Sequence, residues 1–215
     1  HDLRTPLARL RLETEMSVPD AEAREHMVAD IAQVDTIIDK FLDYARPEHV
    51  QLLPLPLTKL VQIAAMPFTV RDDMQVQIDV PPELRVLGDE VELSRVLGNL
   101  LENARRYGQS TDSGITRVRI AATARDQWVT LRVRDHGPGV SPDLLPNLTR
   151  PFFRGDTART SATGAGLGLA IVAKMVHNMG GALELANSPS GGLMAVIRLQ
   201  QATESRQGSL LKKRR

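Results

Sequence analysis

The stretch Asn99-Leu-Leu-Glu-Asn-Ala-Arg-Arg-Tyr-Gly108 decides how the rest of the chain reads. It closes a longer pattern, Asp89 to Tyr107, in which Leu93, Leu97, Leu100 and Ala104 recur at helical spacing. A helix with one buried stripe is predicted there. Asn99 and Asn103 lie one turn apart on the opposite face, and Arg106 continues that face. One such asparagine reads as an ordinary solvated residue. Two on one face of a long helix want a reason, because Asn is a poor helix former. Amide oxygens are hard, neutral ligands that suit Mg2+ when phosphate oxygens bring the negative charge. Arg106 can take a phosphate in a fork of hydrogen bonds. Tyr107 offers a ring for stacking on a base.

Two glycine-rich loops follow. In Asp135-His-Gly-Pro-Gly139 a carboxylate stands at a predicted strand end. It can accept a hydrogen bond from the exocyclic amine of adenine, while Gly137 and Gly139 let the backbone approach the base. Asp-x-Gly is also frequent in plain turns. In Gly164-Ala-Gly-Leu-Gly168 the backbone amides, including that of Leu167, open a predicted helix running to Met179. Gly164, Gly166 and Gly168 suit a phosphate at a helix N-terminus. The last glycine comes one residue early for a dinucleotide fingerprint, and no Asp-Phe-Gly or His-Arg-Asp follows, as a protein-kinase loop requires. Between the loops, Pro151-Phe-Phe-Arg-Gly-Asp156 sets Phe153 and Arg154 in a long polar segment, 136–163. That reads as a lid over ligand, with core packing of one phenylalanine as the alternative.

The rest of the chain frames this site. The 215 residues are 42% hydrophobic with net charge +1, so overall charge points to neither nucleic acid nor membrane. There is no cysteine, which excludes disulfides, thiolate zinc sites and thiol nucleophiles. No apolar run reaches membrane-span length, and no membrane contact is expected of this stretch. Residues 1–46 read as two helices around the turn Ser17-Val-Pro-Asp20. The second carries Met27, Ile31, Val34, Ile38, Phe41 and Ala45 at heptad spacing. Two short helices cannot bury such stripes alone. Pairing with a second copy into a four-helix bundle is favoured over packing on the chain's own second domain. Residues 47–56 read as a linker or edge strand, and 57–200 as one α/β domain. That domain has a helix at 58–66 and strands near 75–80, 115–123, 128–134, 182–186 and 193–199. Residues 201–215 end in Lys212-Lys-Arg-Arg215 and are expected to be a disordered basic tail.

His1-Asp-Leu-Arg-Thr-Pro6 is the last motif. A lone helical histidine is usually structural. Here Asp2 can orient one ring nitrogen and leave the other nucleophilic, and Thr5 sets a hydroxyl one turn away. Pro6 is expected to bend the helix beside His1. His26, His49, His136 and His177 lack such neighbours. The chain starts inside a helical pattern, so a fragment of a longer protein is expected.

Together these stretches resemble the H, N, G1, F and G2 boxes of bacterial two-component sensor histidine kinases, in the right order. Within the family, the H box with Arg106-Tyr-Gly108, Phe152-Phe-Arg-Gly-Asp156 and Ala158-Arg-Thr160 resembles the EnvZ osmosensor type, which signals to an OmpR-type regulator. The resemblance implies an α+β protein: an antiparallel helical hairpin, forming a dimeric four-helix bundle, followed by a Bergerat-type α/β sandwich that binds ATP. It implies phosphorylation of His1 with Asp2 as base. Mg2+ would sit on Asn103 with Asn99 assisting, and phosphates on Arg106 and the 164–168 amides. The adenine would lie by Tyr107 and Asp135, with Arg154 in the lid. Thr5 matches the position that places water when such kinases dephosphorylate their regulator. The implied partners are a second copy and an OmpR-like regulator, with no nucleic acid. The implied location is the cytoplasmic side of an inner-membrane protein. Gly-Ala-Gly stands where Gly-Thr-Gly is commoner, which removes a hydroxyl. Two other classes compete. The first is a dedicated ATPase like the chaperones and topoisomerases of the same fold. That class needs a glutamate one turn before the metal asparagine, where this chain has Asn99. The second is a non-catalytic nucleotide-binding scaffold, against which the intact metal and phosphate residues count.

Overall fold

The computed structural model describes residues 4–46, 49–110, 113–155 and 165–202. A helical hairpin leads. Helix α1 spans Arg4–Ser17 and α2 spans Ala21–Ala45. Asp20 caps α2 by accepting from the Ala23 amide, the role predicted for the turn's capping residue. The bend expected beside His1 lies outside the described residues.

The hairpin buries almost nothing of its own. Thr14 is its sole buried residue among those described, while Met27 and Val34 stay 46% and 43% exposed. The C-terminal end of α2 behaves differently, because it packs on the chain's own second domain. Phe41 stacks on Phe152 with ring centroids 6.4 Å apart. Asp43 pairs with Arg95 at 2.7 Å. Lys174 donates to the Tyr44 carbonyl at 2.8 Å, with its ammonium 5.3 Å from the Tyr44 ring centre. The stripe therefore divides into an open upper part and a docked lower part.

The second domain is a five-stranded sheet covered on one face by helices. Its strands are β2 (Met74–Asp79), β4 (Thr116–Arg125), β5 (Trp128–Asp135), β6 (Ala182–Asn187) and β7 (Leu193–Gln200). The order is β2-β4-β5-β7-β6, with β2 and β4 parallel and the rest antiparallel. Helices α3 (Leu57–Thr69), α4 (Glu90–Tyr107) and α5 (Gly168–Asn178) pack on the face lined by Val118, Ile120, Val129, Leu131, Val133, Ala195 and Ile197. In α4 the predicted stripe of Leu93, Leu97, Leu100 and Ala104 is buried and joined by Val96 and Leu101. A short 3-10 helix, Pro142–Asn147, lies in the polar segment.

A separate pair of strands was only half foreseen. β1 (Leu53–Pro56) falls in the segment read as linker or edge strand, and it pairs antiparallel with β3 (Arg85–Gly88), which carries no period-two signal of its own. β1 contains Pro54 and Pro56, which cannot donate to a ladder and hold it to an edge. None of the described helices is long and apolar enough to cross a membrane.

Candidate functional site

The site forms where α4, α5 and the end of β5 converge. Asp89 starts α4 by accepting from the Val91 and Glu92 amides. From there the helical period carries Asn99 and Asn103 to the side facing the start of α5. A β-carbon on Gly168 would lie 3.2 Å from Asn103 Oδ1 and 3.6 Å from Asn99 Oδ1. The two amides thus lie close against the N-terminus of α5. Among the described residues no side chain caps that N-terminus, and a helix start of this kind leaves its first amides without helical partners. Leu167 itself is fully buried, which leaves only its backbone to serve the site. Gly164 lies outside the described residues.

The far end of the cleft is built around Asp135, the last residue of β5. Its Oδ1 accepts from the Gly137 amide at 2.9 Å and from the Leu193 amide at 3.1 Å. Burial pushes its carboxyl above the usual range, more strongly than the two amides draw it down. Two glycines press on this residue, and a third presses on one of them. A β-carbon at Gly108 would lie 2.6 Å from the Asp135 β-carbon, and one at Gly192 would meet the Asp135 carbonyl oxygen at 1.9 Å. One at Gly137 would sit 2.6 Å from the Gly108 α-carbon. Gly139 has φ +74, and Asn187 holds the next residue from both sides: Val140 N–H donates to its Oδ1 at 3.0 Å, and its Nδ2 donates to the Val140 carbonyl at 2.6 Å.

Between these ends the aromatic segment lies against the phosphate loop. The Phe152 amide donates to the Gly166 carbonyl at 3.0 Å. Gly166 has φ +67, and a β-carbon there would meet the Phe153 carbonyl oxygen at 2.7 Å. Phe153 and Arg154 are half-buried in this contact. Phe152 is 56% exposed, takes φ +63 and reaches out to Phe41, so neither phenylalanine is a core residue.

Of the remaining predicted residues, Arg106 already has a carboxylate partner. Arg106 Nε donates to Glu102 Oε1 at 2.7 Å, and Arg105 forks onto the same carboxylate. Arg105 and Arg106 together pull the Glu102 carboxyl down to about 2, against the cost of burial. A phosphate at Arg106 therefore has to compete with Glu102. Thr5 sits exposed near the start of α1, beside the Arg4–Asp39 ion pair. His1 and Asp2 lie outside the described residues. Tyr107 ends α4, 44% exposed.

Sequence reasoning passed over three residues. Lys40 of α2 donates to Asn99 Oδ1 at 3.4 Å, while Asn99 Nδ2 is tied to the Arg95 carbonyl at 2.9 Å. Asn187 had no signal, being a single asparagine after a strand. Gly192 was visible as half of a Gly-Gly pair between strands.

The donor set fits a magnesium nucleotide. Neutral amide oxygens, uncapped helix amides and a buried carboxylate separated by a glycine-lined cleft are what metal, phosphate and adenine amine each require. Among the described residues no cluster of three or more His, Cys, Asp or Glu could hold a metal by itself.

Comparison with known proteins agrees. Residues 88–203 match the family described as histidine kinase-, DNA gyrase B- and HSP90-like ATPase, and residues 1–50 match the His kinase A (phospho-acceptor) domain. The chain is 34% identical over 213 residues to the signal transduction histidine-protein kinase BaeS of Escherichia coli K12, covering 93% of this chain and 44% of that protein. It is 37% identical over 204 residues to the sensor protein RstB of the same strain, covering 89% and 45%. The structure of full-length ShkA in complex with AMPPNP superposes with a TM-score of 0.73 at 25% identity, over 94% of this chain and 44% of that one. The chain thus spans under half the length of the curated relatives it matches. A phospho-acceptor hairpin followed by a nucleotide cleft of this construction belongs to the histidine kinase-, gyrase B- and HSP90-like ATPase family, as the catalytic part of a two-component sensor histidine kinase.

Proposed function

We propose that this chain transfers the γ-phosphoryl of ATP to His1 and then to an aspartate of a response regulator. The observation that carries the reading is the approach of Asn99 and Asn103 to the glycine that starts α5, with a buried carboxylate, Asp135, against Gly108 just past the end of the same helix α4. Residues 57–200 hold ATP and 1–46 supply the acceptor, joined through 47–56. Asp135 accepts from the adenine amine and Tyr107 lies along the ring. The amides of 164–168 hold the phosphates, with Arg106 and Arg154 beside them. Asn103, assisted by Asn99, holds Mg2+, which neutralises phosphate charge when bound. Gly137 and Gly139 admit the base, and Phe153 covers the cleft. Asp2 takes the proton from one imidazole nitrogen of His1. The other nitrogen attacks phosphorus in line, the N–P bond forms as the bridging Pγ–O bond breaks, and ADP leaves. Catalysis is positioning and charge neutralisation.

The exposed stripe of α2, with Met27 and Val34 open, supports pairing with a second copy. We assign the regulator to the OmpR-like type, and the longer protein to the inner membrane with this part in the cytoplasm. Thr5 places the water that removes phosphate from the regulator. The test is label transfer from γ-labelled ATP. His1→Gln abolishes acid-labile, base-stable label while nucleotide binding persists, and Asn103→Ala abolishes both. Label that survives His1→Gln rejects the acceptor. Thr5→Ala keeps self-labelling but slows dephosphorylation of the regulator, and an unchanged rate rejects its role.

A further inference from the structure

The face of the five-stranded sheet turned away from the helices carries an unusual charge. Strand alternation places Arg117 and Arg119 of β4, Arg132 and Arg134 of β5 and Arg198 of β7 on that face, opposite the buried residues of the same strands. Arg119 stands directly across from Arg134 in the antiparallel register. Like charges at such positions destabilise a sheet, so the cluster is kept against a cost. Among the described residues the carboxylates on the strands of this face are Asp79 of β2 and Glu184 of β6, with Asp126 in the β4–β5 turn paired to Arg125 at its rim. Among the described residues Arg119 alone of the cluster meets one, Asp79, at 2.6 Å. The others rest on neutral groups: Arg117 on the Gln75 amide, Arg132 on the Thr123 hydroxyl, Arg134 on the Ser190 and Gly191 carbonyls, and Arg198 over the Trp128 ring. Among the described residues none of these four guanidinium groups makes a salt bridge to a carboxylate.

The shape of the face narrows the partner. The strands are paired side by side across about 20 Å with no groove between them. Both cavities described in the chain lie elsewhere, one where α2, α4 and α5 meet and one inside the hairpin. Ala121, Met194, Val196 and Trp128 alternate with the arginines, Trp128 being 37% exposed at the rim. A bound peptide wants a groove or a free strand edge. Single-stranded nucleic acid wants several open aromatic faces, and the one ring here is occupied by Arg198. A flat layer of guanidinium groups, short apolar side chains and an indole matches an anionic lipid surface. There arginine forks onto phosphate, and tryptophan sits at headgroup depth.

We propose that this arginine face docks on membrane rich in anionic phospholipid. The inference is independent of the phosphoryl-transfer reading, since no residue of the nucleotide cleft lies on the docking face.

The test uses the full chain and vesicles of phosphatidylcholine with or without phosphatidylglycerol. Trp128 is the only tryptophan, so its emission reports the face directly. The expected result is co-sedimentation with the phosphatidylglycerol vesicles, a blue shift of the indole emission, and release at high salt. Arg117→Gln, Arg132→Gln and Arg198→Gln combined weaken binding by about a hundredfold. Their ATP affinity and melting temperature, measured in parallel, stay unchanged and show that the variant is folded. Replacing Lys212, Lys213, Arg214 and Arg215 by serine leaves the indole shift in place. The proposal is overturned by equal binding to neutral vesicles or by an unmoved indole. Binding that follows the tail rather than the face overturns it too, as does tighter binding of polyglutamate or duplex DNA at the same salt.

Discussion

Asp135 shows how one side chain can be costly for stability and, in the proposed reading, needed for binding. Its folded-state pKa is raised by burial, so the native state holds a proton more tightly than the unfolded chain does. Its contribution to stability is greatest at low pH and falls as pH rises through the raised value. At neutral pH the ionised carboxylate is a standing cost. Asp135→Asn removes that charge and keeps an oxygen for the Gly137 and Leu193 amides. The melting temperature at neutral pH is expected to hold or rise, and its decline between acid and neutral pH to flatten. Affinity for ATP is expected to fall tenfold to a hundredfold, because the new amide donates where an acceptor is needed. Thermal melts across pH with calorimetric ATP titration check both halves. A drop in melting temperature equal to the loss of binding would make Asp135 merely structural.

At the scale of elements, the end of α4 and the loop after β5 are held at backbone contact. Gly108→Ala places a methyl 2.6 Å from the Asp135 β-carbon and 2.7 Å from the Ala104 carbonyl oxygen. A destabilisation of about 1–3 kcal/mol is expected, together with loss of ATP binding. Denaturant unfolding and ATP titration measure the two effects. The sequence showed this meeting only in part. The asparagine spacing on α4, the carboxylate closing β5 and the glycines opening α5 were all legible, because each depends on local period or backbone freedom. The roles of Gly108, Asn187 and Gly192 were not, because they arise from contacts across 27 to 57 positions in sequence. β3 was invisible for a similar reason, since four residues paired with a proline-bearing strand and bridged once to Gln201 leave no periodic trace. The competition of Glu102 for Arg106 likewise appeared only once both ends of a helical turn were placed.

For the whole molecule, the hairpin is unfinished as a single chain. Met27→Glu with Val34→Glu puts charge into the open stripe without touching the docked end of α2. Sedimentation is expected to show the parent as a dimer and the variant as a monomer with its ATP affinity intact. A variant that remains dimeric would move the subunit contact elsewhere. The docked end has its own consequence. Lys40 and any cation held by Asn99 draw on one amide oxygen, so filling the cleft and seating α2 against α4 oppose each other. Opposition of this kind is reciprocal: whatever strengthens one weakens the other by the same factor. Lys40→Met should therefore tighten magnesium-dependent ATP binding severalfold and leave metal-free binding alone, a difference calorimetry with and without chelator resolves. A stimulus arriving along the long helix would then tune nucleotide occupancy through the grip of one ammonium, without having to reshape the cleft.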